Sequence, residues 1–207
     1  LPKAGVSRVQ ELQMVTQKGD NTAVVAIHGN FDDAQTGVKK LFSDKGFVRE
    51  LADKGFVFSS ANSINIGRLI PQVVYYVYAY GQLLNSGEIA DGEKIHVTVP
   101  TGNFGNILAA YFAKQMGVPI DKLLCASNDN RVLYDFFVTG TYDKKREFLL
   151  TISPSMDILI SSNLERLIYL SAGCSCEKTA QMMASLAESG AYTISEDMRQ
   201  QMADFVG

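Results

Sequence analysis

The string VPTGNFGN, Val99 to Asn106, stands where a β-branched run gives way to a helical one. Gly102 and Gly105 lie three apart, so the chain between them can fold tightly and turn successive N–H groups inward as a nest at the positive end of a helix. Such a terminus favours a bound negative charge by about 0.3 to 1 kcal/mol when exposed and up to about 2 when partly buried, and phosphate is its usual guest. The string is neither a G-x-G-x-x-G dinucleotide turn nor a Walker A loop ending in G-K-[ST], so NAD and ATP lose their strongest signals. An ordinary strand-to-helix turn capped by Asn103 is the plainer reading, and pattern alone leaves both open.

Two other strings carry polar groups that could meet a ligand. SANSINIGR, Ser60 to Arg68, places Asn62, Ser63, Asn65 and Arg68 at the start of an apolar helix. Helix capping explains the small polar residues, although amides and hydroxyls could also orient a polar ring or carboxylate, and Arg68 could pair with an anion. In LTISPSMDILISSNLERL, Leu150 to Leu167, Ser153, Ser155 and Asp157 precede a predicted helix, and a cap with Pro154 on its approach accounts for most of that pattern. No Ser-His-Asp order and no G-x-S-x-G elbow is visible.

The elements that must position these strings alternate. Strands are predicted at Thr22 to Gly29, Lys94 to Pro100 and Lys122 to Ser127. Helices are predicted at Ser7 to Lys18 with Ser7 as cap, Asp32 to Phe42, Ile66 to Leu84 with a kink at Pro71, and Phe104 to Gln115. The helix from Ile66 should be at least half buried, and core packing is the expected use of Tyr75, Tyr76, Tyr78 and Tyr80. Four more helices follow, at Arg131 to Thr139, Met156 to Ala172, Glu177 to Ser189 and Ser195 to Val206. The pattern implies an α/β fold, mainly parallel sheets flanked by helices, with a helix-rich C-terminal third. The turn-rich run from Ser59 to Gly67 is the expected boundary between a first α/β segment and the rest.

Composition narrows the partners. With 207 residues, 46% of them hydrophobic and 20% charged, the chain can bury a sizeable core without disulfides. A net charge of −3 offers no broad attraction to nucleic acid or anionic lipid, so neither is an expected partner. Three cysteines without a C-x-x-C pair fit a reducing cytoplasm, and His28 and His96, each inside a β-like run, make a metal site an unneeded assumption. The longest apolar run, Val73 to Tyr80, falls far short of the roughly 20 residues that span a bilayer. The non-Met start without a leader pattern suggests that the natural reading frame begins before Leu1.

Read together and in order, GNFDDAQ (Gly29 to Gln35), SANSINIGRLIPQ, PTGNFGN, SNDNRVLYDFF (Ser127 to Phe137) and SPSMDILISSNLERL resemble the central part of threonine synthase. The resemblance implies a pyridoxal-phosphate enzyme of fold type II, the tryptophan-synthase-β type. Such an enzyme converts O-phosphohomoserine and water into threonine and phosphate. It implies that Gly102, Asn103, Phe104, Gly105 and Asn106 hold the cofactor phosphate, and it makes Asn62, Ser63, Asn65, Arg68 and Ser155 weaker candidates for substrate or ring contacts. Residues 1–58 would belong to the smaller α/β domain and 59–207 to the larger cofactor domain. The family's Schiff-base lysine lies in an F-K-D context that is not found here, so it is expected upstream of Leu1. A hydroxyl for the pyridine nitrogen is likewise expected beyond Gly207. No catalytic residue is therefore assigned within the chain, which by itself is expected to be inactive. Two rivals remain: a serine or threonine dehydratase-like lyase of the same cofactor class, and a non-enzymatic phosphometabolite-binding module.

Overall fold

Apolar and β-branched residues at Ile95–Pro100 and Ile120–Ala126 form two strands, β1 and β2, that pair in parallel from Ile95 against Ile120 to Pro100 against Ala126. The helix between them, α6 at Gly105–Gln115, buries Ile107, Leu108, Ala109, Ala110 and Ala113. Together they make the β-α-β unit expected from the sequence. The computed structural model describes residues 8–29, 31–60, 65–153 and 156–207. The chain divides into two compact units, Leu1–Ser59 and Ser60–Gly207.

The first unit contains α1 (Arg8–Val15), α2 (Phe31–Ser43) and α3 (Lys45–Asp53). The expected cap, Ser7, lies outside the described residues. Helix α3 was not anticipated, although Asp44 signals it: the carboxylate accepts from the Gly46 and Phe47 N–H groups at 2.9 and 3.0 Å. The strand expected at Thr22 to Gly29 does not form. Only Ile27 makes an isolated bridge, and Val24 and Val25 are exposed. A β-branched run becomes a strand only within a ladder, and among the described residues no ladder forms along 22–26.

In the second unit, Asn65 caps α4 (Ile66–Leu69), a 3-10 turn follows at Ile70–Gln72, and α5 runs from Val73 to Asn85. Pro71 breaks the α-helical ladder where the missing N–H predicts. The burial expected of this stretch is only partly met. Leu69, Val73 and Tyr80 are buried and Tyr76 half-buried, whereas Ile66, Ile70, Val77, Tyr75 and Tyr78 are exposed, because α6 contacts only one side of the helix.

After β2 come α7 (Val132–Thr139), β3 (Thr141–Asp143), α8 (Leu164–Ser171), α9 (Cys176–Glu188), β4 (Ala191–Thr193), α10 (Glu196–Gln201) and β5 (Phe205–Val206). Strands β3 and β4 pair antiparallel with Tyr142 stacked on Tyr192, a short ladder that sequence reading missed. The helix expected from Ser195 to Val206 ends at Gln201, and Phe205 and Val206 instead join the parallel sheet beside Leu123 and Leu124, giving the order β1-β2-β5. None of the described helices is long and apolar enough to cross a membrane.

The helix expected from Met156 to Ala172 starts only at Leu164. Upstream, the groups a helix would need are committed elsewhere. The Leu159 carbonyl accepts from the Tyr142 hydroxyl, the Ser161 N–H donates to that same hydroxyl, and the Asn163 N–H donates to the Asn103 carbonyl.

Candidate functional site

The loop Thr101 to Phe104 leaves the C-terminal end of β1 and enters α6, in the region where parallel sheets bind their ligands. Its first residue is tied to the sheet by the Thr101 N–H, which donates to the Ala126 carbonyl at 2.8 Å. Thr101, Gly102, Phe104 and Gly105 are buried. Phe104 has φ 64° and ψ 2°, the left-handed region that a bulky residue enters only when its surroundings compel it. Those surroundings are Phe137 and Phe205, whose rings lie 5.9 and 5.5 Å from the Phe104 ring. The left-handed step turns the backbone sharply into the helix, the geometry of an anion nest.

Asn103 does not cap α6: the N-cap position is Phe104, and no side chain accepts from the first turn. Among the described residues, no acceptor is paired with the backbone N–H groups of Gly102, Asn103, Phe104 or Gly105. Asn103 Oδ1 is also buried without a partner. Such orphans cost about 1 to 3 kcal/mol each when buried, and a bound anion is the simplest group that satisfies several N–H donors together. The side chain of Asn106 is committed elsewhere. Its Oδ1 accepts from the Tyr76 hydroxyl at 2.6 Å and its Nδ2 donates to Gln72 Oε1 at 2.9 Å, so its side chain ties α6 to α5 and the preceding turn. Burial pushes the Tyr76 phenol up to about 12, which keeps this donor protonated.

The loop carbonyls face the other way, toward Ser161 and Asn163. Ser161 Oγ donates to the Gly102 carbonyl at 2.5 Å, and the Asn163 N–H and Nδ2 donate to the Asn103 carbonyl at 3.1 and 2.9 Å. Asn163 occupies the N-cap of α8 yet makes no side-chain cap bond, and its Oδ1 accepts from Arg166 Nη1. An Asn at this position ordinarily serves its own helix. Here its amide serves the loop.

Asp157 was expected to help cap the helix that follows. Instead its buried carboxylate gathers the loops beyond β2: Oδ1 accepts from Asn128 Nδ2 at 2.7 Å, Asn130 Nδ2 at 3.2 Å and Thr151 Oγ1 at 2.7 Å, and Oδ2 from the Thr151 N–H at 2.8 Å. The string SNDN and Asp157 therefore meet in space. Neither Ser153 nor Asp157 caps α8.

Among the other candidates, Asn65 is a cap: Oδ1 accepts from the Gly67 N–H at 2.9 Å and Nδ2 donates to the Ser60 carbonyl at 3.1 Å. Arg68 is exposed on α4. Asn62, Ser63 and Ser155 lie outside the described residues. A cleft of about 290 Å³ lined by Cys125, Ser127, Asn128, Arg131 and Tyr134 contains none of Gly102 to Asn106. Ser161 and Asn163 were not singled out from sequence, and Asp157 and Tyr76 were read there only as a helix cap and a core residue. The available signal was the cluster of polar residues inside the strings SNDN and SSN, which spacing rules do not assign.

No protein-family model matches the chain. The human protein named threonine synthase-like 1 is 49% identical over 187 residues, 89% of this chain and 25% of that protein. Threonine synthase of Saccharomyces cerevisiae is 42% identical over 168 residues, 81% of this chain and 31% of the yeast protein. A crystal structure of threonine synthase from Brucella melitensis with bound pyridoxal phosphate matches with a TM-score of 0.80 at 42% identity, over 99% of this chain and 42% of that one. The chain thus spans about a quarter to two-fifths of the length of these relatives.

Proposed function

This chain is a relative of the threonine synthases over nearly its whole length, and on that premise we propose that it binds the phosphate of pyridoxal phosphate at Gly102, Asn103, Phe104, Gly105 and Asn106. The observation that carries the reading is the set of N–H groups at Gly102 to Gly105 that no described residue uses, at the start of a helix no side chain caps. A dianionic phosphate fits this donor set in number and sign.

The residues divide the work. Backbone N–H groups of the loop bind and orient the phosphate, the positive end of α6 adds a field of the right sign, and Tyr76 with Gln72 fixes the first turn through Asn106. When bound, pyridoxal phosphate supplies an electron sink for charge that develops at the substrate's carbons. The reaction proposed for the protein that carries this sequence is conversion of O-phosphohomoserine and water into threonine and phosphate, in the cytoplasm. Asn62, Ser63, Asn65, Arg68 and Ser155 are the proposed substrate or ring contacts. The Schiff-base lysine is placed upstream of Leu1, so the 207 residues alone should not turn over O-phosphohomoserine. Residues 1–58 are proposed as part of the smaller domain and 59–207 as part of the cofactor domain.

The test is reduction of the natural protein with borohydride in the presence of pyridoxal phosphate, followed by digestion and mass mapping. A pyridoxyl-lysine upstream of Leu1 supports the reading. An adduct within these residues would overturn the lysine placement. Equal weak binding of pyridoxal phosphate and free phosphate, with no adduct, would favour the anion-binding module.

A further inference from the structure

The peptide unit is planar and trans, so a carbonyl and the next residue's N–H point in opposite directions. Ser161 Oγ fixes the direction of the Gly102 carbonyl and Asn163 fixes that of Asn103, through two donors. With those carbonyls held against residues 161–163, the N–H groups of Asn103 and Phe104 must point away from that segment, and neither is paired with a described acceptor. The left-handed Phe104 then brings the chain round into the first turn of α6.

We propose that Ser161 and Asn163 are positioning residues for the anion: by holding the Gly102 and Asn103 carbonyls inward they aim the Asn103 and Phe104 N–H groups at the bound phosphate. Two features separate this from ordinary packing. Asn163 is fully buried at a helix N-cap and yet makes no cap bond: its Oδ1 accepts from Arg166 and its Nδ2 donates to a carbonyl 60 residues away. Residues 161–163 also remain outside the helix that periodicity predicts there, so the segment is shaped by the loop rather than by its own propensity. The inference rests on the phosphate reading of the loop.

The experiment compares equilibrium binding of pyridoxal phosphate and of pyridoxal, which lacks the phosphate, to the natural protein and to Ser161→Ala, Ser161→Thr and Asn163→Asp. Asn163→Asp keeps size and shape but removes the Nδ2 donor. Folding of each variant is read from its urea midpoint. Loss of the clamp should weaken pyridoxal phosphate about tenfold or more in Ser161→Ala and Asn163→Asp while pyridoxal affinity stays within about twofold, since a hydrogen bond to a charged group carries roughly that factor. The 31P signal of the bound phosphate should move in the same two variants, and Ser161→Thr, which keeps the hydroxyl, should restore both readouts. If a variant does not fold, the other decides. Equal loss for both ligands, or none, in a folded variant overturns the positioning role. If the natural protein itself shows no preference for pyridoxal phosphate over pyridoxal, the phosphate reading of the loop fails and the inference falls with it.

Discussion

Asn163 holds Asn103 by two bonds to one carbonyl, from its backbone N–H at 3.1 Å and from Nδ2 at 2.9 Å, while its Oδ1 accepts from Arg166. This joins the start of α8 to the loop before α6 and couples the stability of the segment to the shape of the site. Asn163→Ala removes the side-chain donor and withdraws the acceptor that Arg166 uses, and should cost about 1 to 3 kcal/mol. The urea midpoint of the purified protein measures it, and an unchanged midpoint would show that the clamp contributes no stability.

Phe104 offers a test with an inverted order. Truncating its buried ring to Ala should cost about 3 to 5 kcal/mol through lost contacts with Phe137 and Phe205. Glycine loses the same ring but adopts φ 64° freely, whereas alanine carries a left-handed penalty of about 1 to 2 kcal/mol. Phe104→Gly should therefore unfold at higher urea than Phe104→Ala, opposite to the usual ranking of glycine below alanine.

Asp157 accepts three bonds on Oδ1 and one on Oδ2. In Asp157→Asn the amide nitrogen settles best at the Oδ2 position, where it meets the Thr151 N–H donor to donor. The expected cost is about 2 kcal/mol, with loosening of residues 149–157 that hydrogen exchange would register at the Thr151 amide. Retention of Thr151 protection in the variant would contradict this account.

Alkaline pH should unfold the second unit in a defined window. Burial raises the Cys125 thiol from 9.0 to about 11 and the Tyr76 and Tyr142 phenols from 10.0 to about 12. The native state holds these protons more tightly than the unfolded chain, so their contribution is fully present below pH 9 and is lost as pH rises toward 12. Urea midpoints measured from pH 8 to 11 should begin to fall near pH 9, and in Cys125→Ala the onset should move to about pH 10, where the tyrosines take over. An onset unmoved by the substitution would remove Cys125 as its cause.

Much of the site's local form could be read along the chain. The placement of PTGNFGN between a strand and a helix, the cap by Asn65, the break at Pro71 and the β-α-β unit each depend on residues within a few positions of one another, through φ preferences, capping and hydrophobic period. These are short-range forces, and they act the same way whatever the rest of the fold does. The clamp of Ser161 and Asn163 on the loop, the gathering of Asn128, Asn130 and Thr151 around Asp157, the entry of Phe205 and Val206 into the sheet and the left-handed Phe104 were not legible there. Each depends on partners that meet only after the sheet and helices have packed, where the need to satisfy buried N–H and C=O groups overrides local propensity. That is why the segment from Met156, helical by its period, stays irregular until α8 begins at Leu164: its polar groups are committed to Tyr142, Gly102 and Asn103 rather than to a helix.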